Sequence, residues 1–145
     1  MDTTQPHHGA KVALFLGDQL VSILRDDLPH ISYPNLWDLP GGGREGDETT
    51  FETLSRELEE ELGLVLPHAA VLWENSFQSL TAPEKWNAFF VAQMPADTVN
   101  DIVFGDEGQR WALFEMDAFI ALPDRVPSYD VRLAKWVAET GGLNL

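Results

Sequence analysis

Residues 42–64, GGREGDETTFETLSRELEEELGL, constrain the fold more than any other stretch of this chain. The pattern predicts a helix from about residue 48 to 62. Thr49 and Glu52 have capping-box spacing, with Asp47 as the other candidate cap. Gly63 stands where a left-handed C-terminal residue is wanted, followed by the apolar Leu64. At about 100° per residue, Phe51, Leu54, Leu58 and Leu62 share one arc and form the core face. Glu57, Glu60 and Glu61 converge on a second face, while Glu52 and Glu59 point to solvent. The trio lies at the C-terminal end, where the helix dipole is itself negative.

Each like-charge pair at this spacing costs about 0.2–0.5 kcal/mol. Two readings follow. One is a solvated acidic face; the other is a face that holds a hard divalent cation such as Mg²⁺, which prefers oxygen ligands and is often shared with phosphates. Gly41-Gly42-Gly43, just upstream, reads as a loop whose backbone approaches a ligand closely, and it favours the second reading.

The rest of the chain supplies the frame. Residues 11–16 and 19–24 are apolar and flank Gly17-Asp18, as in a β-hairpin with a two-residue turn. Residues 26–35 read as a loop, and 36–39 as a short extended piece ending at Pro40. Strands are expected at 69–77, 86–94 and 111–114, and a short helix at 117–121. A final amphipathic helix over 129–139 carries Val131, Leu133, Ala134, Trp136 and Val137. The order predicts an α/β fold with a mixed sheet covered on both faces. Residues 1–9 read as a flexible lead-in, and 10–145 as a single domain.

With 24 acids against 9 bases the net charge is −15, which argues against nucleic acid as a partner. The absence of cysteine excludes disulfides, thiolate metal sites and a Cys nucleophile. No basic-then-apolar leader and no membrane-length apolar run is visible, so a soluble cytoplasmic protein without membrane contact is expected. Ser76 and Ser79 lack a G-x-S-x-G context, and no Gly-Lys-Ser/Thr follows the glycines, so neither a serine hydrolase nor a P-loop is supported.

The same stretch resembles the Nudix hydrolase family. Its box, G-x5-E-x7-R-E-U-x-E-E-x-G-U with U a bulky aliphatic residue, is matched in register by Gly42, Glu48, Arg56, Glu57, Leu58, Glu60, Glu61, Gly63 and Leu64. At about 7% usage per residue, the fixed matches alone arise by chance about once in 10⁸ registers. Asp47 stands where many members have Gly before the first box Glu. The resemblance implies an α/β/α sandwich and cleavage of a pyrophosphate bond in a nucleoside diphosphate linked to another group. It implies that Glu57, Glu60 and Glu61 hold Mg²⁺, with Mn²⁺ able to substitute, that Gly42 offers its carbonyl to the metal, and that Arg56 orients a box carboxylate, Glu48. Gly63 is structural.

Glu107-Gly108-Gln109 resembles the segment supplying an extra catalytic or metal-binding Glu in the MutT-like branch, and Arg25 stands where that branch has a substrate-contacting Arg. The alternatives are a solvated loop acid and a strand-end charge. Glu57 is the first choice of general base, because crowding by Glu60 and Glu61 should raise its pKa; Glu107 is the alternative. Trp37, just before the glycines, is the aromatic best placed to stack on a base, with Gly41 beside it. Trp73, Trp86, Trp111, Phe77 and Phe89 read as core, and His7 and His8 as solvated.

The expected activity is that of a MutT-like nucleoside triphosphate pyrophosphatase. Hydrolysis of dinucleoside polyphosphates or nucleotide sugars is the alternative, as is a nucleotide-sensing domain without catalysis. The partner is a small nucleotide, and the protein a monomer or homodimer.

Overall fold

The structure, a computed structural model, describes residues 6–143. In chain order its elements are β1 (Gly9–Leu16), β2 (Gln19–Leu24), β3 (Trp37–Asp38), β4 (Gly41–Gly43), α1 (Thr50–Leu62), β5 (Val71–Gln78), β6 (Trp86–Met94), β7 (Arg110–Glu115), α2 (Met116–Ile120) and α3 (Tyr129–Thr140). Because strand side chains alternate between faces, the apolar run of β1 feeds two cores. Val12, Leu14 and Leu16 join Leu54, Leu58 and Leu62 of α1 on one face. Ala13 and Phe15 join Phe119 of α2 and Leu133 and Trp136 of α3 on the other. The result is the expected α/β/α sandwich with a mixed sheet. Each fully buried leucine of α1 contributes about 1.5–3 kcal/mol.

β1 runs parallel to β6 along its whole length, from Gly9 opposite Asn87 to Leu16 opposite Met94. The hairpin between β1 and β2 pairs only near its turn, at Phe15–Leu20 and Leu16–Gln19. Beyond that the two strands splay. Residues 37–43 fill the gap: β3 pairs with β2, β4 pairs with β1, and Pro40 between them accepts from the Val12 N–H at 2.9 Å. This wedge brings Lys11, Asp38 and the glycines to one point.

Three expectations need correction. The glycines are not a loop: Gly41–Gly43 form a strand, because their lack of side chains lets them lie close against Gly9–Lys11. In α3 the apolar face is Tyr129, Leu133 and Trp136 together with Arg132, while Val131 and Val137 are exposed on the other side. His7 is buried rather than solvated, its Nε2 2.8 Å from Thr53 Oγ1. Of the lead-in expected over residues 1–9, residues 1–5 lie outside the described residues, and Gly9 already opens β1.

Candidate active site

The N-terminus of α1 closes with a capping box. Thr49 Oγ1 accepts from the Glu52 N–H, and Glu52 accepts from the Thr49 N–H, so Thr49 and not Asp47 is the cap. Gly63 ends the helix at φ 66°. On the second face, Arg56 grips Glu48 at two points, Nε to Oε2 at 2.7 Å and NH2 to Oε1 at 3.2 Å. The same guanidinium reaches the Gly43 carbonyl at 2.7 Å, Glu57 at 2.9 Å and Glu60 at 3.3 Å. The hydrogen bonds from Arg56 and from the Glu45 N–H hold Glu48 down to about pKa 2, so it stays ionised. Arg56 is raised in turn, chiefly by its bond to Glu48. The salt bridge expected between these two residues is therefore present.

Glu57 and Glu61 differ from Glu60, whose side chain is largely exposed. Burial raises the pKa of Glu57, with the nearby charge of Glu60 adding to it against Arg56. Burial also pushes Glu61 up to about 7; Lys11 and the Gly41 N–H oppose the rise, while Glu57 and Asp38 add to it. Desolvation, more than crowding, is thus what raises these carboxyls. Glu61 Oε1 accepts from the Gly41 N–H at 2.8 Å. A Cβ on Gly42 would stand 2.5 Å from the Glu57 carboxyl carbon, so only glycine leaves that carboxylate its position. The carbonyl role expected of Gly42 needs correction. Gly42 faces Ala10 in the β4–β1 ladder, and its oxygen points at β1, 2.6 Å from where a Cβ on Gly9 would lie. The Gly41 carbonyl instead accepts from Lys11 Nζ at 3.1 Å.

Glu107 reaches the trio because its loop is stitched at both ends. Val103 and Gly105 donate to the last carbonyls of α1, on Leu62 and Glu61, groups that a helix end leaves without partners. Gly108 donates to Asp26, and Gln109 binds the Leu24 and Arg25 carbonyls at the end of β2. Glu107 consequently lines a cavity of about 270 Å³ with Glu57, Glu60, Glu61 and Asp106. Glu61 and Glu107 also line a second cavity of about 310 Å³, which ends at Arg25 and Asp38. Arg25 and Asp38 in turn border a third, of about 290 Å³, against α3. One cleft therefore runs from an acidic end to a basic one.

The hub of the basic end was not legible as a site residue. Asp38 is buried, its Oδ2 3.1 Å from both Lys11 Nζ and Arg25 NH1. Its Oδ1 accepts from Tyr129 OH at 2.5 Å and the Leu39 N–H at 2.7 Å. Burial alone would raise its pKa, but Lys11, Tyr129 and Arg25 outweigh that and hold it below the ordinary value. The available signals were a lone acid between Trp37 and Leu39, a lysine opening an apolar strand, and Arg132 on the apolar arc of α3. Trp37 does not serve as a stacking platform: it is buried, edge-on to Phe114 and covered by Arg110.

The donor chemistry of the acidic end suits a hard divalent cation, since every side chain there offers only carboxylate oxygen and two carboxyls are short of positive charge. Among the described residues no three His, Cys, Asp or Glu side chains stand ready around one point. Arg56 holds Glu57 and Glu60, and the Gly41 N–H holds Glu61.

The model of the NUDIX domain matches residues 6–137. No curated protein matches the sequence. Among solved structures, a bifunctional NMN adenylyltransferase/ADP ribose pyrophosphatase from Francisella tularensis is 21% identical with a TM-score of 0.70; the match covers 94% of this chain but 42% of that one. A C. elegans Ap4A hydrolase is 18% identical, TM-score 0.70, covering 93% and 99%. The E. coli dihydroneopterin triphosphate pyrophosphohydrolase is 19% identical, TM-score 0.64, covering 94% and 100%. The chain spans less than half the length of the Francisella protein, and likeness at this identity speaks for the fold alone. The match to the domain model across nearly the whole chain is what decides the question: this chain belongs to the Nudix family.

Proposed function

We propose that this protein is a Mg²⁺-dependent nucleotide pyrophosphohydrolase, with a nucleoside triphosphate as substrate in the MutT-like manner. The supporting observation is the continuity of the cleft: Glu107 shares one cavity with Glu57, Glu60 and Glu61, and a second with Arg25 and Asp38. Phosphates would lie between Arg25 and the carboxylates, with the nucleoside toward α3. Glu57, Glu60, Glu61 and Glu107 would hold the metal. Bound there, a divalent cation neutralises phosphate charge and lowers the pKa of a coordinated water.

The chain's own groups do the rest. Arg56, anchored on Glu48, orients Glu57 and Glu60. Gly42 leaves the Glu57 carboxylate room, and the Gly41 N–H aims Glu61. Glu57 accepts the proton of the attacking water, with Glu107 as the second candidate. Arg25 steadies a phosphate oxygen while Asp38 keeps its guanidinium in place.

The test is a product-resolved screen of canonical and oxidised nucleoside triphosphates, dinucleoside polyphosphates, ADP-ribose and nucleotide sugars, each with Mg²⁺ and with EDTA. Metal-dependent release of a nucleoside monophosphate and pyrophosphate from triphosphates is the expected result. Preferential turnover of a dinucleotide or nucleotide sugar reassigns the substrate. No turnover of any of them sinks the enzyme reading and leaves a nucleotide-sensing domain.

A further inference from the structure

The basic end of the cleft holds groups that hydrolysis does not use. Arg132 is 5% exposed, yet among the described residues its side chain makes no hydrogen bond and no ion pair. Aromatic rings surround it instead: its guanidinium carbon lies 5.0 Å from the Phe77 ring centre, 5.6 Å from Phe89 and 5.7 Å from Tyr129. The nearby acid, Asp38, is already taken by Lys11, Arg25 and Tyr129. One turn earlier, the buried Oγ of Ser128 also lacks a hydrogen-bond partner among the described residues. Ser128 starts α3 at φ 77° without capping it, a conformation that costs a non-glycine residue strain. Asn87 stands across the strand pair from Phe77 and on the same face of β6 as Phe89; its amide makes no hydrogen bond among the described residues either.

Arg132, Ser128 and Asn87 all line the cavity of about 290 Å³ against α3. Its other walls include Tyr33, Leu80, Val126, Pro127 and Gly42–Gly43, and it opens beside Lys11, Arg25 and Asp38. Leu80, Val126, Pro127 and the Tyr33 and Tyr129 rings make one part of this otherwise polar cavity apolar, and that part suits a heterocycle better than a phosphate. Buried polar groups without partners are costly, so their pairing with a ligand carries selectivity. Arginine offers only N–H donors. A ring carbonyl presented to it is accepted, whereas a ring amino group meets donor against donor.

We propose that Arg132, with Ser128 and Asn87 lining the pocket beside it, reads the base of the bound nucleotide, and that its donor-only guanidinium selects a ring carbonyl, as in the 6-oxopurines, over the ring amino group of adenine. The proposal rests on the hydrolase reading only for the direction of the nucleotide, phosphates toward Glu107.

Inosine and adenosine nucleotides differ at just this atom pair, so two measurements test it. One is equilibrium binding of IMP and AMP by calorimetry; the other is kcat/KM for ITP and ATP with Mg²⁺. The wild-type protein should favour inosine about tenfold or more in both, the discrimination of one good arginine–base pair. Arg132→Met, which keeps bulk against the rings but removes the donors, should bring both ratios near one. Arg132→Gln, a second variant should Arg132→Met fail to fold, has an amide that accepts as well as donates and should also bring the ratios near one. Equal affinity for IMP and AMP in the wild type, or an unchanged ratio in folded Arg132→Met, overturns the proposal. Preferential IMP binding without hydrolysis of any triphosphate would uphold it while the enzyme reading falls. Hydrolysis of ITP and ATP at equal efficiency would do the reverse.

Discussion

The two ends of the cleft are built in opposite ways. At the acidic end, Glu57, Glu60 and Glu61 come from two turns of one helix, and burial leaves two of them short of positive charge. At the basic end, Lys11, Arg25, Asp38 and Tyr129 come from three strands and a distant helix, and all four satisfy one another. The acidic end thus carries buried carboxyls that lack positive charge, whereas the Asp38 cluster of the basic end is internally neutralised and ties the folded scaffold together. Substitutions at the first should change turnover before stability, and at the second stability before turnover.

The largest effect tests the acidic end. Glu61→Gln is expected to lower kcat by about 10²–10⁴-fold while the melting temperature holds or rises, because a buried charge is removed. Near-normal turnover in that variant would break the comparison.

Asp38→Asn should do the opposite. It leaves Lys11 and Arg25 facing a neutral group and should cost about 3 kcal/mol in urea denaturation; a loss under about 1 kcal/mol would show that the hub is not structural. The pH dependence has a definite sign. Since the folded pKa of Asp38 is held below its ordinary value, its stabilisation is complete above that value and is lost as pH falls through the folded one. The gap between wild type and variant should therefore close in acid.

Gly42→Ala sharpens the contrast with its neighbour. The added Cβ meets only the movable end of Glu57, so kcat should drop about tenfold with little change in unfolding free energy. Gly41→Ala would instead place a Cβ 2.0 Å from the Ala10 carbonyl oxygen at φ 136°, and its cost should appear as lost stability. Equal melting temperatures for the two variants would contradict this difference.

The smallest effect lies at His7, behind the box helix. Burial, and then the charge of Arg44, lower its pKa against the pull of Glu48. A histidine held neutral contributes stability above its unfolded pKa of about 6.5 that is lost as pH falls. Between pH 7.5 and 5.5 the wild-type melting temperature should fall more steeply than that of His7→Gln; parallel slopes would show that His7 is not held neutral by the fold.

Helical periodicity and caps made α1, its core face and its convergent carboxylates legible, whereas the Arg56–Glu48 pair was implied by the family resemblance. The hairpin turn at Gly17-Asp18 was equally readable, since two short apolar runs flank it. Gly41–Gly43 were not readable as a strand. Three glycines carry no side-chain pattern, and their pairing depends on a splay between β1 and β2 that only the assembled sheet creates. Trp37 failed as a stacking residue for a related reason: adjacency along the chain says nothing about which face a short strand turns inward.

The sequence by itself determined the fold family and the trio of Glu57, Glu60 and Glu61, because those residues are placed by one helix whose geometry is a property of local spacing. Tertiary structure alone decided the rest. It chose which way the Gly42 carbonyl points, turned Asp38 into a hub, brought Glu107 to the helix through backbone bonds to its last carbonyls, and buried the Arg132 guanidinium among aromatic rings. Those outcomes depend on which strands meet. That is settled by the two cores packing against both faces of the sheet, and no single stretch of the chain encodes it.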